Sequence, residues 1–283
     1  MKTRRIAIVS FLNLLRFRLP ITLIARALIL RDRILSADAR PSFSCFPTAM
    51  VAIPVQTRTL TASFHQPRTR PRAAVLIFHG IGERSTSWQT AQHLLAQHGI
   101  ASLVLAYSGY PGSGGATTPA NLHHDTLAAY SSLRSLVAPD TPAFLLGLSL
   151  GTGIAIEAAP SLTPPPAGII LCQAFTSLRD AARAILRSRA LARLLPDLYP
   201  TEATLPRIAS PLLIVHADGD RLFPLDMGRR LHASALTNPG RSVHLAIPRG
   251  HAHNDAFLRP ALTYWQPILD FIHALSAPPP SPR

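Results

Sequence analysis

The chain has 283 residues, 47% of them hydrophobic, with a mean hydropathy of +0.21; it can bury a substantial core, which excludes global disorder. Two cysteines, Cys45 and Cys172, exclude a disulfide-stapled scaffold and a cysteine-based zinc cluster. The 28 basic and 14 acidic residues leave a net charge of +14, a balance that points to an anionic surface as a partner.

Half of that excess lies in the first 40 residues, which hold nine basic and two acidic side chains. The longest uncharged run there, Ile6 to Leu15, is ten residues, about half of what a spanning helix needs. Arg16 and Arg18 follow it without a small-x-small cleavage site beside the run. Residues 1–45 are therefore read as a basic amphipathic arm and linker that lies on a membrane surface, in preference to a cleaved signal. This implies a membrane-associated protein, with a cytoplasmic one as the alternative. Leu and Ile, not stacking aromatics, interleave the arginines, so nucleic acid is not the expected partner.

Residues 46–275 read as the main domain. Val51 to His65 alternates apolar and polar residues in the manner of an antiparallel hairpin at a sheet edge. Six short apolar runs follow, starting at Ala74, Ala101, Ala143, Gly168, Pro211 and Val243. Each is nearly continuous, as strands buried on both faces of a parallel sheet are. Helical patterns separate them; one opens at Thr118-Pro119, an N-cap and first-turn pair, with Leu122, Ala129, Leu133 and Leu136 at helical spacing. The layout predicts a three-layer α/β domain with helices on both faces of a mostly parallel sheet. Ligands bind such sheets at the carboxyl ends of the strands. The 37 residues between Gln173 and Pro211 form a small helical cap, about residues 174–210, rich in arginine. A proline-rich tail occupies 276–283.

Chemistry-bearing residues stand where that rule puts them. The third apolar run ends in Gly147-Leu-Ser149-Leu-Gly151, which opens a helix. A strand-to-helix elbow of this kind holds its central residue in strained geometry and presents the hydroxyl, and the glycines avoid collision with the neighbouring turn. Serine needs a base, and the base an acid to orient it. Asp218 and Asp220 follow the fifth run; His251 and His253 follow the sixth. Asp220, four residues before Pro224, reaches further into its loop, and Asp218 fits a turn cap; either histidine can serve. Two backbone N–H groups suit an oxyanion: Leu150, after the serine, and Ile81 in His79-Gly80-Ile81-Gly82 after the first run. Glu83 is read as structural.

These residues, over roughly Val51 to His273, resemble the α/β-hydrolase superfamily. Tyr107-Ser-Gly-Tyr-Pro-Gly-Ser-Gly114, Gly147 to Gly153, Phe175-Thr-Ser-Leu-Arg-Asp180 and His253-Asn-Asp255 resemble its compact bud-emergence-type branch, related to protein depalmitoylases. The resemblance implies an α/β-hydrolase fold and a Ser149, Asp220, His253 triad, with His253 rather than His251 as base. It implies hydrolysis of a carboxylic ester or thioester of a small molecule or lipid, without metal or cofactor. The sequence departs from the branch at Ser108-Gly, where Arg-Gly is usual, at Pro111 within the glycines, and at His216-Ala in place of His-Gly.

Overall fold

The computed structural model describes residues 48–277, so the arm (1–45) and nearly all of the tail lie outside the described residues. Eight strands form one sheet: β1 (Ala49–Val55), β2 (Arg58–His65), β3 (Ala73–Phe78), β4 (Ile100–Ala106), β5 (Ala143–Leu148), β6 (Gly168–Cys172), β7 (Leu212–Val215) and β8 (Val243–Ala246). Their order is β1-β2-β4-β3-β5-β6-β7-β8. The β1–β2 hairpin is antiparallel, and β2 joins β4 antiparallel; every pairing from β4 to β8 is parallel.

The continuous apolar runs reflect burial on two faces. Along β3, Ala74, Leu76 and Phe78 point into one core and Ala73, Val75 and Ile77 into the other, the period of two that a pleated strand imposes. Helices α1 (Gln89–Gln97) and α9 (Leu262–Ser276) cover one face through Leu95, Trp265 and Leu269. The opposite face is covered by α2 (Pro119–Leu136), α3 (Leu150–Ala158) and α7 (Leu225–Ala235), through Leu133, Ile154 and Leu231. Thr118 caps α2 as expected, its hydroxyl accepting the Asn121 N–H at 3.1 Å. The sixth run departs from the expected pattern. β8 is an edge strand in which Val243, Leu245 and Ala246 are partly buried and His244 is exposed.

Between β6 and β7 the stretch expected to form the cap carries α4 (Leu178–Leu186), α5 (Arg189–Arg193) and the single turn α6 (Thr201–Thr204). The remaining short helix, α8 (Asp255–Leu258), follows the β8 loop. Among the described residues no helix is long and apolar enough to cross a membrane.

The site is positioned by the sheet's switch point. The chain leaves β3 for α1 on one face and leaves β5 for α3 on the other, although β3 and β5 are neighbours. Their outgoing loops diverge and open a crevice beyond the carboxyl ends.

Candidate active site

Ser149 stands at that crevice with φ 54 and ψ −118, a conformation that costs a non-glycine residue about 1–3 kcal/mol. The surrounding bonds over-determine it. Its N–H donates to the Cys172 carbonyl at 3.0 Å, and its carbonyl accepts the Thr152 N–H (3.0 Å) and hydroxyl (2.6 Å). The flanking glycines are obligatory. A Cβ on Gly151 would lie 2.0 Å from the Phe78 carbonyl oxygen, and one on Gly147 would lie 2.5 Å from the Gly151 oxygen.

Gly80 lies against the same serine. A Cβ there would sit 3.4 Å from the Ser149 Cβ and 2.3 Å from Glu83 Oε1. Glu83 is itself held by the Trp88 indole N–H at 2.9 Å, in keeping with a structural role. The loop carrying Ile81 therefore passes directly beside Ser149, and Leu150 opens α3, where backbone N–H groups have no intrahelical acceptor. His79, just upstream, is fully buried; burial lowers its imidazole to about 4, so it is neutral. Its ring lies against Tyr107 and Tyr110, and its carbonyl accepts the Tyr107 hydroxyl at 2.8 Å.

Of the paired carboxylates and imidazoles, the structure brings Asp220 and His253 together. His253 Nδ1 lies 2.7 Å from Asp220 Oδ2. Donation by Nδ1–H leaves Nε2 as the ring nitrogen that can take up a proton. Asp220 Oδ1 accepts the N–H groups of Leu222 (2.7 Å) and Phe223 (3.0 Å). Burial acts to raise the Asp220 pKa, but the charge and hydrogen bond of His253, with the Phe223 N–H, hold the carboxyl below its ordinary value. His216 Nε2 approaches Asp220 Oδ2 at 3.9 Å. Burial lowers its pKa against the pull of Asp220, and its Nε2 lies 3.2 Å from the Phe223 carbonyl. The Phe223 ring packs edge-on against His253.

The alternatives are engaged elsewhere. Asp218 Oδ1 accepts the Gly250 N–H at 2.7 Å, clamping the histidine loop at a glycine with φ 73. His251 turns away, with Nε2 2.9 Å from the Thr263 hydroxyl and Nδ1 3.5 Å from Asp255.

Two contributors escape sequence reasoning. Gln173 is fully buried, with φ 48, at the end of β6. Its amide reaches the Ala252 carbonyl (3.5 Å), the Ala217 N–H (3.4 Å) and the Tyr264 hydroxyl (3.3 Å), tying the loops after β7 and β8 to α9. A polar residue closing an apolar run was its only signal. The second is Arg58 on β2. Ser108, where the resembled branch has arginine, hydrogen-bonds Arg58 Nε (2.8 Å) and the buried Asp125 (2.9 Å), and Arg58 pairs with Asp125 at 2.8 Å. A guanidinium supplied from the hairpin thus meets Asp125 across Ser108, and the Ser108-Gly departure leaves this loop tied down.

Sheet order, crevice and elbow define an α/β-hydrolase. The family described as Serine aminopeptidase, S33 (Hydrolase_4) matches residues 69–210, half of the chain, and the chain belongs to that family. An uncharacterized protein of Mycobacterium tuberculosis is 34% identical over 187 residues, 64% of this chain and 63% of that one. Protein ABHD12B of Homo sapiens is 29% identical over 203 residues (64% and 55%). Lysophosphatidylserine lipase ABHD12 of Macaca fascicularis is 27% identical over 217 (70% and 54%). The chain thus spans less than two thirds of each of these relatives. Among solved structures, a thermostable carboxyl esterase from Bacillus coagulans superimposes with a TM-score of 0.64 at 15% identity, covering 82% of this chain and all of that one. The Pyrococcus furiosus esterase Pf2001 gives 0.66 at 13%, covering 82% and 94%. The structural likenesses bear on the fold.

Proposed function

We propose that the chain is a serine hydrolase that cleaves carboxylic ester or thioester bonds through an acyl-enzyme. The observation that carries this reading is the 2.7 Å His253–Asp220 contact between the loops that leave the carboxyl ends of β7 and β8, the same end of the parallel strands at which the strained Ser149 elbow leaves β5. His253 Nε2 takes the Ser149 proton as Oγ attacks the carbonyl carbon, and Asp220 fixes the imidazole tautomer and balances the imidazolium. The N–H groups of Ile81 and Leu150 hold the oxyanion, a contribution of about 10²–10³ in rate per donor. His253 then protonates the leaving alcohol or thiol. A water, deprotonated by the same imidazole, attacks the acyl carbon and returns the free serine.

The lysophosphatidylserine lipases among the relatives support a lipid ester as substrate. Within the superfamily, Tyr107 to Gly114 and His253-Asn-Asp255 support a place near the bud-emergence type. Residues 1–45 are proposed as an arm that holds the domain at a membrane surface. The rival reading is a silent hydrolase scaffold that binds without turnover. Turnover of short p-nitrophenyl esters and acyl thioesters by the wild type, abolished in Ser149→Ala, is the expected result. Equal turnover by the two proteins overturns the assignment.

A further inference from the structure

We propose that the tip of the cap is a docking surface for an anionic lipid bilayer. The stretch from α4 to α5 carries Arg183, Arg187, Arg189 and Arg193, all exposed. Arg183 lies on the outer side of α4, opposite the buried Leu178, Ala181 and Ala182, and Arg187 follows the helix as its C-cap with φ 52; Arg189 and Arg193 stand four apart on α5. Side chains at that spacing share a helix face.

No acidic residue lies between Asp180 and Asp197, and those two are engaged by other arginines. Asp180 faces Arg230 at 3.6 Å, and Asp197 faces Arg179 at 3.2 Å. Among the described residues, none of the four tip arginines forms an ion pair. Between and beside them, Leu191 and Leu194 are 41% and 55% exposed. Of the large apolar side chains exposed among the described residues, these two alone lie within one helical turn of each other. Four uncompensated guanidiniums around two exposed leucines suit a surface that offers phosphate at one depth and acyl chain just below it.

Charge decides among occupants. The first 40 residues carry the same sign, so the arm is repelled from this patch, and a second copy presenting the same patch is repelled as well. The interleaved side chains are leucines, which give bases nothing to stack on. The inference is independent of the hydrolytic chemistry, because binding is read without turnover.

The test is flotation of the full chain with phosphatidylcholine vesicles, with and without phosphatidylserine, at low and high salt. Duplex DNA retention is measured in parallel. Wild type is expected on the anionic vesicles, released by salt. R189Q/R193Q is expected to bind about 25-fold more weakly, from about five-fold for each arginine near the surface. L191S/L194S is expected to weaken binding to both vesicle types, and unchanged Tm values establish that both variants are folded. Equal partitioning of the folded variants and wild type overturns the proposal. Indifference of the wild type to phosphatidylserine, or retention on DNA in place of vesicles, overturns it too.

Discussion

Replacing Asp220 by Asn separates positioning from packing at the site. The carboxylate accepts three hydrogen bonds, from His253 Nδ1, Leu222 N and Phe223 N, and its side chain is fully buried. Asparagine keeps an oxygen at the Oδ1 position for the two backbone donors and differs in volume by almost nothing. At the Oδ2 position it offers an N–H₂ group to Nδ1. The imidazole must then accept at Nδ1 and carry its proton on Nε2, where the mechanism needs a lone pair. The fold should therefore survive with a loss of about 1.5–3 kcal/mol, the worth of a charge-assisted hydrogen bond. The reaction should slow about 10⁴-fold, equivalent to about 5.4 kcal/mol of barrier. The assay is kcat for p-nitrophenyl acetate beside thermal unfolding, with Asp218→Asn as control. Asp218 serves the loop through the Gly250 N–H, which Asn also satisfies, so that variant should stay within a few-fold of wild type. A folded Asp220→Asn within ten-fold of wild type, or equal losses at the two positions, would refute the reasoning.

The other expectations are these. His253→Ala should lose at least about 10³-fold in kcat, whereas His251→Ala, whose ring contacts Thr263 and Asp255, should keep kcat within about ten-fold; the two are compared on one ester. Because Asp220 titrates below its ordinary value of 3.8, its stabilising contribution is fully present above that pH and is lost as pH falls through the folded-state value. The stability difference between wild type and Asp220→Asn, measured by denaturant titration, should be flat above about pH 4–5 and shrink only in stronger acid. Gly151→Ala forces a methyl into the Phe78 carbonyl and should cost at least about 3 kcal/mol, read as Tm. Arg58→Ala leaves Asp125 buried without its cation and should cost about 3–5 kcal/mol in the same measurement.

Much of the fold and of the site was legible in the sequence because strand burial and strand-end placement both leave short-range patterns. A strand buried on both faces is apolar at nearly every position, so β3 to β7 announced themselves, and a parallel sheet puts chemistry at strand ends, which located Ser149 and the two candidate pairs. β8 read the same way, yet it lies at the edge and is only half covered. The choice between the two histidines was not legible from the residues alone, whereas the reach of Asp220 into its loop already favoured it over Asp218. Asp218 and Asp220, and likewise His251 and His253, are two residues apart on loops whose direction depends on Gly250 and on the clamp between Asp218 and its N–H. Arg58 and Ser108 lie 50 residues apart, and Gln173 acts across 79 residues to Ala252. Contacts of that range leave no local pattern; a buried glutamine at positive φ looks in sequence like the end of a strand.

The measurement that bears most directly on the central claim is fluorophosphonate labelling of the purified wild-type chain beside Ser149→Ala, His253→Ala and Asp220→Asn. The account predicts one labelled serine in the wild type, no labelling at Ser149→Ala, and labelling slowed in proportion to lost turnover in the other two. Undiminished labelling of folded Ser149→Ala, or none of folded wild type, would contradict it.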